Sequence, residues 1–333
     1  MIRLIRRGAA CAALLLSTLS LPSHADALRV VTTTPDLADL ARSVGGGAVD
    51  VSSLARGPQD VHFVEARPSF VRALHDADAL VLVGMDLEIG WLPALLRSAR
   101  NPDVASGGRG YIDASVTIEP LEVPTTRVDR SMGDIHPYGN PHYLVDPLNG
   151  LAVAGLLRDR FSGLRPEERA TFEAGYASLA DRLLRALVGD ALAAGRSPDA
   201  LVEALRAEAF ADSDELGGWL RRARDAGVSR AVQDHRYWAY FARRFGLELV
   251  ATLEPRPGIS PTTAHLRDVI GQIRADDVPV VLANPYYDPR HARFVSEHTG
   301  ARIAHMAHQV QATPDATDYV AMVEHNVREV FRE

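Results

Sequence analysis

Short apolar, β-branched runs alternate with segments of helical period along most of the chain. Residues 28–33, 49–54 and 79–83 have the length and composition of buried strands. Between and after them, residues 35–44, 68–75 and 87–100 carry apolar positions at helical spacing. The middle differs. From 147 to 196 the pattern is helical, rich in Ala, Leu, Arg and Glu. Pro166 followed by Glu167 and Glu168 suits a helix start. One helix from there to Leu192 would hold about 27 residues and span roughly 40 Å. A second helical stretch, 198–226, reads as an extra element. Alternation then resumes, with strands at 230–233, 248–253, 278–283 and 301–305 and helices at 235–245, 262–274, 290–298 and 315–331. The expected class is α/β: two parallel-sheet (β/α) lobes joined by a long rigid helix. The expected division is an N-terminal lobe at 26–160, the linking helix at 161–195, the extra stretch at 196–226 and a C-terminal lobe at 227–333.

The first 25 residues change the picture of where the chain works. Arg3, Arg6 and Arg7 precede an apolar run from Gly8 to about Leu21, and Ser23 and Ala25 offer the small residues of a cleavage site. This is the pattern of an export signal, and the run is short for a bilayer-spanning helix, which needs roughly 20 residues. Cleavage after Ala25 and a periplasmic location are expected. The single cysteine, Cys11, lies inside this signal, so a metal site in the mature chain must use His and carboxylates. Three arginines taken from 36 basic residues leave 33 against 43 acidic ones, a balance of −10. Nucleic-acid binding calls for a basic face and is not expected.

Of 12 histidines, most sit where a solvated helix face or a loop explains them. Three stand out by position. His62 follows the second predicted strand, His235 follows the strand ending at Gln233, and His142 lies in the run Asn140-Pro141-His142-Tyr143-Leu144-Val145-Asp146-Pro147. Asp288 holds a matching place after the strand ending at Ala283. In open α/β sheets, ligands bind outside the carboxyl ends of strands, so such loop residues point at a site. Two candidates fall in each lobe, though spacing alone does not prove that they converge.

The run from Asn140 to Pro147 resembles the motif Asn-Pro-His-aromatic-x-x-Asp-Pro of the bacterial solute-binding proteins that serve zinc and manganese ABC transporters (cluster A-I). Gly84 to Leu92, with Leu87-Glu88 and Trp91-Leu92, resembles the Gly-x-x-Leu-Glu-x-Trp segment of that family. His235 to Gly246, with Tyr240-Phe241, is similar to its His-x-x-x-x-Tyr-Phe-x-x-x-x-Gly segment. The resemblance implies four metal ligands, His62, His142, His235 and Asp288, and a membrane permease as partner. There are departures. Asn284 stands where the family more often has an acid, the helical stretch before His235 is longer than usual, and the His-rich loop of zinc members is reduced to 128–138 with His136. His136 reads as an unengaged loop residue and His291 as a solvated neighbour of the site.

Three imidazoles and one carboxylate suit zinc, whereas hard oxygen sets suit manganese. The manganese members of the family usually carry Glu at the third position, here His235, so Zn2+ is the expected ligand, with Zn–N about 2.0–2.1 Å. Each imidazole must lose its proton, and free His titrates near ~6.5, so zinc affinity should fall steeply below about pH 6. Asp60, Asp146 and Asp234 are the expected orienting partners of the rings. The expected protein is a monomeric, non-catalytic zinc carrier for an ABC-type importer, moving by a small lobe tilt rather than wide closure. The alternatives are a manganese-binding protein of the same family, a zinc hydrolase, a binder of a larger chelate such as haem, and an adhesin or zinc chaperone.

Overall fold

A computed structural model describes residues 27–126, 136–210 and 213–332. The expected export signal, and part of the 128–138 loop, lie outside these. The N-terminal lobe runs β1 (Leu28–Thr32), α1 (Pro35–Gly45), β2 (Val49–Ser53), α2 (Pro68–Asp76), β3 (Ala79–Leu82), α3 (Leu92–Ala99) and β4 (Tyr111–Asp113). After it come α4 (Pro147–Leu164), α5 (Arg169–Val188), α6 (Asp190–Ala193), α7 (Pro198–Arg206) and α8 (Gly218–Asp225). The C-terminal lobe is β5 (Arg230–Gln233), α9 (Ala239–Phe245), β6 (Glu248–Thr252), α10 (Thr263–Ala275), β7 (Val280–Ala283), α11 (Pro289–Thr299), β8 (Arg302–His305) and α12 (Tyr319–Val330).

Both lobes are four-stranded sheets of one topology, β2-β1-β3-β4 and β6-β5-β7-β8, with every pairing parallel. Each order reverses beside its first strand, which opens a crevice at the carboxyl ends of β1 and β3 and of β5 and β7. Several helices start the way their sequences suggest. Thr34, Asp146, Ser197 and Asp288 each accept a backbone N–H of the first turn, and a proline follows each of them.

Several boundaries differ from the sequence pattern, among them the closing helix, which begins at Tyr319 rather than 315, and the 198–226 stretch, which is two helices; three others have a local reason. The helix expected from 87 begins only at Leu92. Met85 and Asp86 have φ of 52° and 65°, and the buried Glu88 carboxylate accepts from Val83 N, Gly84 N and Thr33 Oγ1, so the chain turns there instead of winding. Burial pushes the Glu88 carboxyl up to about 7. In the second lobe α9 begins at Ala239, because Gln233 Oε1 takes the Trp238 N–H and leaves His235 on a turn. The linking helix is also shorter than its pattern. Arg165, with φ −136° and ψ 77°, ends α4, and α5 runs 20 residues, about 30 Å, to Gly189 at φ 83°. β4 was not foreseen, since three residues cannot display an alternation.

The apolar core does not stop at the lobe boundary. One cluster runs from Leu28 through Leu157 and Leu187 to Trp238, Tyr319 and Phe331, and a smaller one under α10 and α11 belongs to the second sheet alone. Polar ties cross as well. Val310 N donates to Asp36 Oδ1 (2.6 Å), Gln309 Nε2 donates to the carbonyls of Arg56, Gly57 and Gln59, and Tyr319 Oη donates to Leu144 O (2.6 Å). Gly150 makes the last approach possible, because a Cβ there would lie 2.1 Å from Tyr319 Oη. A shared core and these bonds resist a wide hinge opening.

Candidate metal centre

Three of the four sequence candidates meet in the crevice. His62, on the loop after β2, His142, before α4, and His235, at the end of β5, each offer a ring nitrogen, and these atoms lie within 4.8 Å of one another. All three are buried, at 8%, 5% and 2% exposure. Their rings stand nearly perpendicular, with centroids 5.1, 5.7 and 5.7 Å apart and interplanar angles of 71°, 73° and 71°. Edge-on imidazoles facing a common point are what one ion with nitrogen donors requires.

The rings are held from behind. His62 Nδ1 lies 2.7 Å from Asp60 Oδ1, and His235 Nδ1 lies 2.7 Å from Glu254 Oε2. Each carboxylate fixes its imidazole as the Nδ1–H tautomer, so Nε2 carries the free lone pair. His62 Nε2 is buried and has no hydrogen-bond partner. An orphaned buried acceptor is costly unless a ligand meets it, and a divalent cation does. Burial would raise the Asp60 carboxyl, but the hydrogen bond and charge of His62 outweigh it and draw it below its usual range. His142 is positioned by stacking on Tyr237, centroids 3.8 Å apart, and by Asn140 Oδ1, which accepts its backbone N–H (2.9 Å). Burial, then the neighbouring histidines, hold His142 well below the ordinary range, so this ring is neutral and ready to bind.

Asp288 does not join this group of nitrogens. Its carboxylate caps α11 through Arg290 N (2.9 Å) and takes the Arg290 guanidinium at 2.8 and 3.0 Å. The Arg290 hydrogen bonds hold it far below the usual carboxylate range. Of the orienting partners expected from the sequence, Asp60 does orient a ring. Asp146 and Asp234 do other work. Asp146 caps α4 and pairs with Arg244 at 2.9 and 3.0 Å. Asp234 accepts from His235 N, Asn284 N and Asn284 Nδ2, and burial pushes it up to about 7. An acid at 284 would face that carboxylate, which explains how an amide serves there.

Two residues escaped the sequence reading. Glu254 lies two residues past β6, at the same carboxyl edge that marks the ligands. His136, expected to be unengaged, stacks on His62 with centroids 5.3 Å apart, and its Nε2 is buried without a partner. Burial, then the charges of His62 and His235, push His136 down to about 3. A Glu254→Gln change keeps the shape but removes the charge behind His235. Zinc affinity should drop about tenfold, the low end of such effects, by competition against a chromophoric chelator. Unchanged affinity would mean that Glu254 only packs there.

Two parallel α/β lobes with buried nitrogen donors from both, meeting at the strand ends, define a metal-binding solute-binding protein of an ABC importer. The chain belongs to the family described as ZnuA, zinc-uptake complex component A periplasmic, whose profile matches residues 30–188 and 186–332. High-affinity zinc uptake system protein ZnuA of Paracoccus denitrificans (strain Pd 1222) is 23% identical over 319 residues, covering 86% of this chain and 85% of the relative. Manganese ABC transporter substrate-binding lipoprotein PsaA of Streptococcus pneumoniae is 21% identical over 278 residues, covering 83% and 77%. A crystal structure of ZnuA shares the fold, with a TM-score of 0.65 at 21% identity over 90% of this chain and 99% of the other. Among the described residues no helix is long and apolar enough to cross a membrane.

Proposed function

We propose that this protein captures Zn2+ in the periplasm, as a monomer, and delivers it to the membrane permease of an ABC importer. The observation that carries the choice of metal is the convergence of three buried imidazoles, two of them braced by carboxylates. Nitrogen donors favour zinc over manganese. The names of the relatives include both metals, and the donor set is what supports zinc. The decisive measurement is the metal content of protein purified without added metal. Zinc is expected, and manganese in its place would overturn the choice.

The fourth ligand in this proposal is Asp288, which closes the site by exchanging Arg290 for the ion. Asp288 lines a cavity of about 570 Å³ beside the centre together with Asp60, Asp234 and Glu254. Its partner Arg290 is an exposed side chain, so the pair is weakly held and exchange is cheap. Asp288→Asn should weaken zinc binding about tenfold, and Arg290→Ala should strengthen it by a few-fold. If both variants bind like the parent chain, the ion is held without Asp288. The lobes would tilt little during this exchange, given the core they share.

A further inference from the structure

A large cavity lies apart from the imidazoles. It encloses about 850 Å³ between the extra helical stretch, the start of α4 and the end of α9. That volume is in the range of small-molecule sites, roughly 300–1,000 Å³. Its apolar wall includes Leu205, Leu216, Leu220 and Phe245. Among the described residues, four arginines, 206, 224, 243 and 244, line it against two acids, Glu119 and Glu208. Asp225, 3.4 Å from Arg224 Nε, offsets one of these charges. Arg243 already pairs with Glu119 at 3.2 Å and Arg244 with Asp146, while Arg206 is exposed and makes no ion pair among the described residues.

The extra stretch is anchored firmly enough to keep the space open. Gly189 and Gly217 pack backbone to backbone, with a Cβ on Gly189 falling 2.7 Å from Gly217 Cα. Trp219 Nε1 donates to the Glu324 carboxylate on α12. Leu201, Leu205, Trp219 and Ala223 are buried in the main core. The far wall is fixed too, because Leu148 and Asn149 belong to the first turn of α4.

We propose that this cavity is a second binding site, for a small organic anion with an apolar body, such as a medium-chain carboxylate. The alkyl part lies on the leucines and Phe245, and the anionic head meets Arg206 at the rim. The same cavity touches the support of the metal turn. Arg244 clamps Asp146, and Asn149 Nδ2 donates to Tyr143 O at 3.1 Å, one residue from His142.

The test is calorimetric titration of the full mature chain with decanoate, below its micellar range, with zinc content measured in parallel. One saturable site is expected. Arg206→Glu should weaken it at least about tenfold, the worth of one charge-assisted hydrogen bond. Leu220→Trp, which narrows the apolar end, should weaken it as well. Both variants should bind zinc stoichiometrically, which separates this site from the metal centre. No saturable decanoate binding by the parent chain, or equal binding by Arg206→Glu, would overturn the proposal.

Discussion

Replacing His142 by alanine is expected to lower zinc affinity about a hundred- to a thousandfold. Structural zinc sites bind with about 10–16 kcal/mol, so one of the four proposed ligands carries roughly 3–4 kcal/mol. His136, its ring centroid 6.5 Å from that of His142 and its Nε2 unpartnered, is the neighbour that would have to move in to replace it. His142 is buried, stacked on Tyr237 and set by Asn140, and its neighbours His62 and His235 are already tied to Asp60 and Glu254. The fold should survive, because the chain around it is held by Tyr143 Oη on Val83 O and by Tyr240 Oη on Asn140 O. Chelator competition measures the loss, and circular dichroism checks the fold. A variant that still holds zinc at parental strength would remove the three-imidazole centre.

Removing Arg244 should instead strike stability, by about 3–5 kcal/mol in urea unfolding. Asp146 is wholly buried, and Arg244, at 15% side-chain exposure, meets both of its oxygens. Arg244→Ala leaves a buried carboxylate with only the Leu148 N–H, 2.9 Å away, to satisfy Oδ1. The neighbouring Arg243 supplies the contrast. Its partner Glu119 is 82% exposed, and such surface pairs contribute less than about 1 kcal/mol. Similar losses from Arg244→Ala and Arg243→Ala would mean that the buried pair has no special weight. Because Asp146 ends the turn that begins at Asn140, zinc binding should also weaken in the Arg244 variant.

Much of this centre is legible in the order of residues. His62 and His235 stand where a strand gives way to a loop, and the motif around His142 marks a third loop of the same kind. Helix-starting prolines and their caps are local signals, and four such pairs open helices here. Glu254 shows the limit. It obeys the strand-end rule, but a lone Glu among 43 acidic residues has no local feature that marks it as the partner of His235, 19 positions away. Asp288 shows the opposite case. Its position matches the rule and the family pattern, yet Arg290, two residues on, takes the carboxylate.

The alternation of periods along the chain was enough to determine two parallel α/β lobes and a helical connection, because strand and helix periodicity are properties of neighbouring residues. It also determined the chemistry available to the site, since the only cysteine is Cys11, inside the expected export signal, and histidines follow the strands. Only the tertiary structure decided which side chains meet. Ring nitrogens from positions 62, 142 and 235 come within 4.8 Å because both sheets turn their carboxyl ends to one crevice. Contacts across 80 or more residues depend on how the lobes pack, and no window of sequence contains that distance.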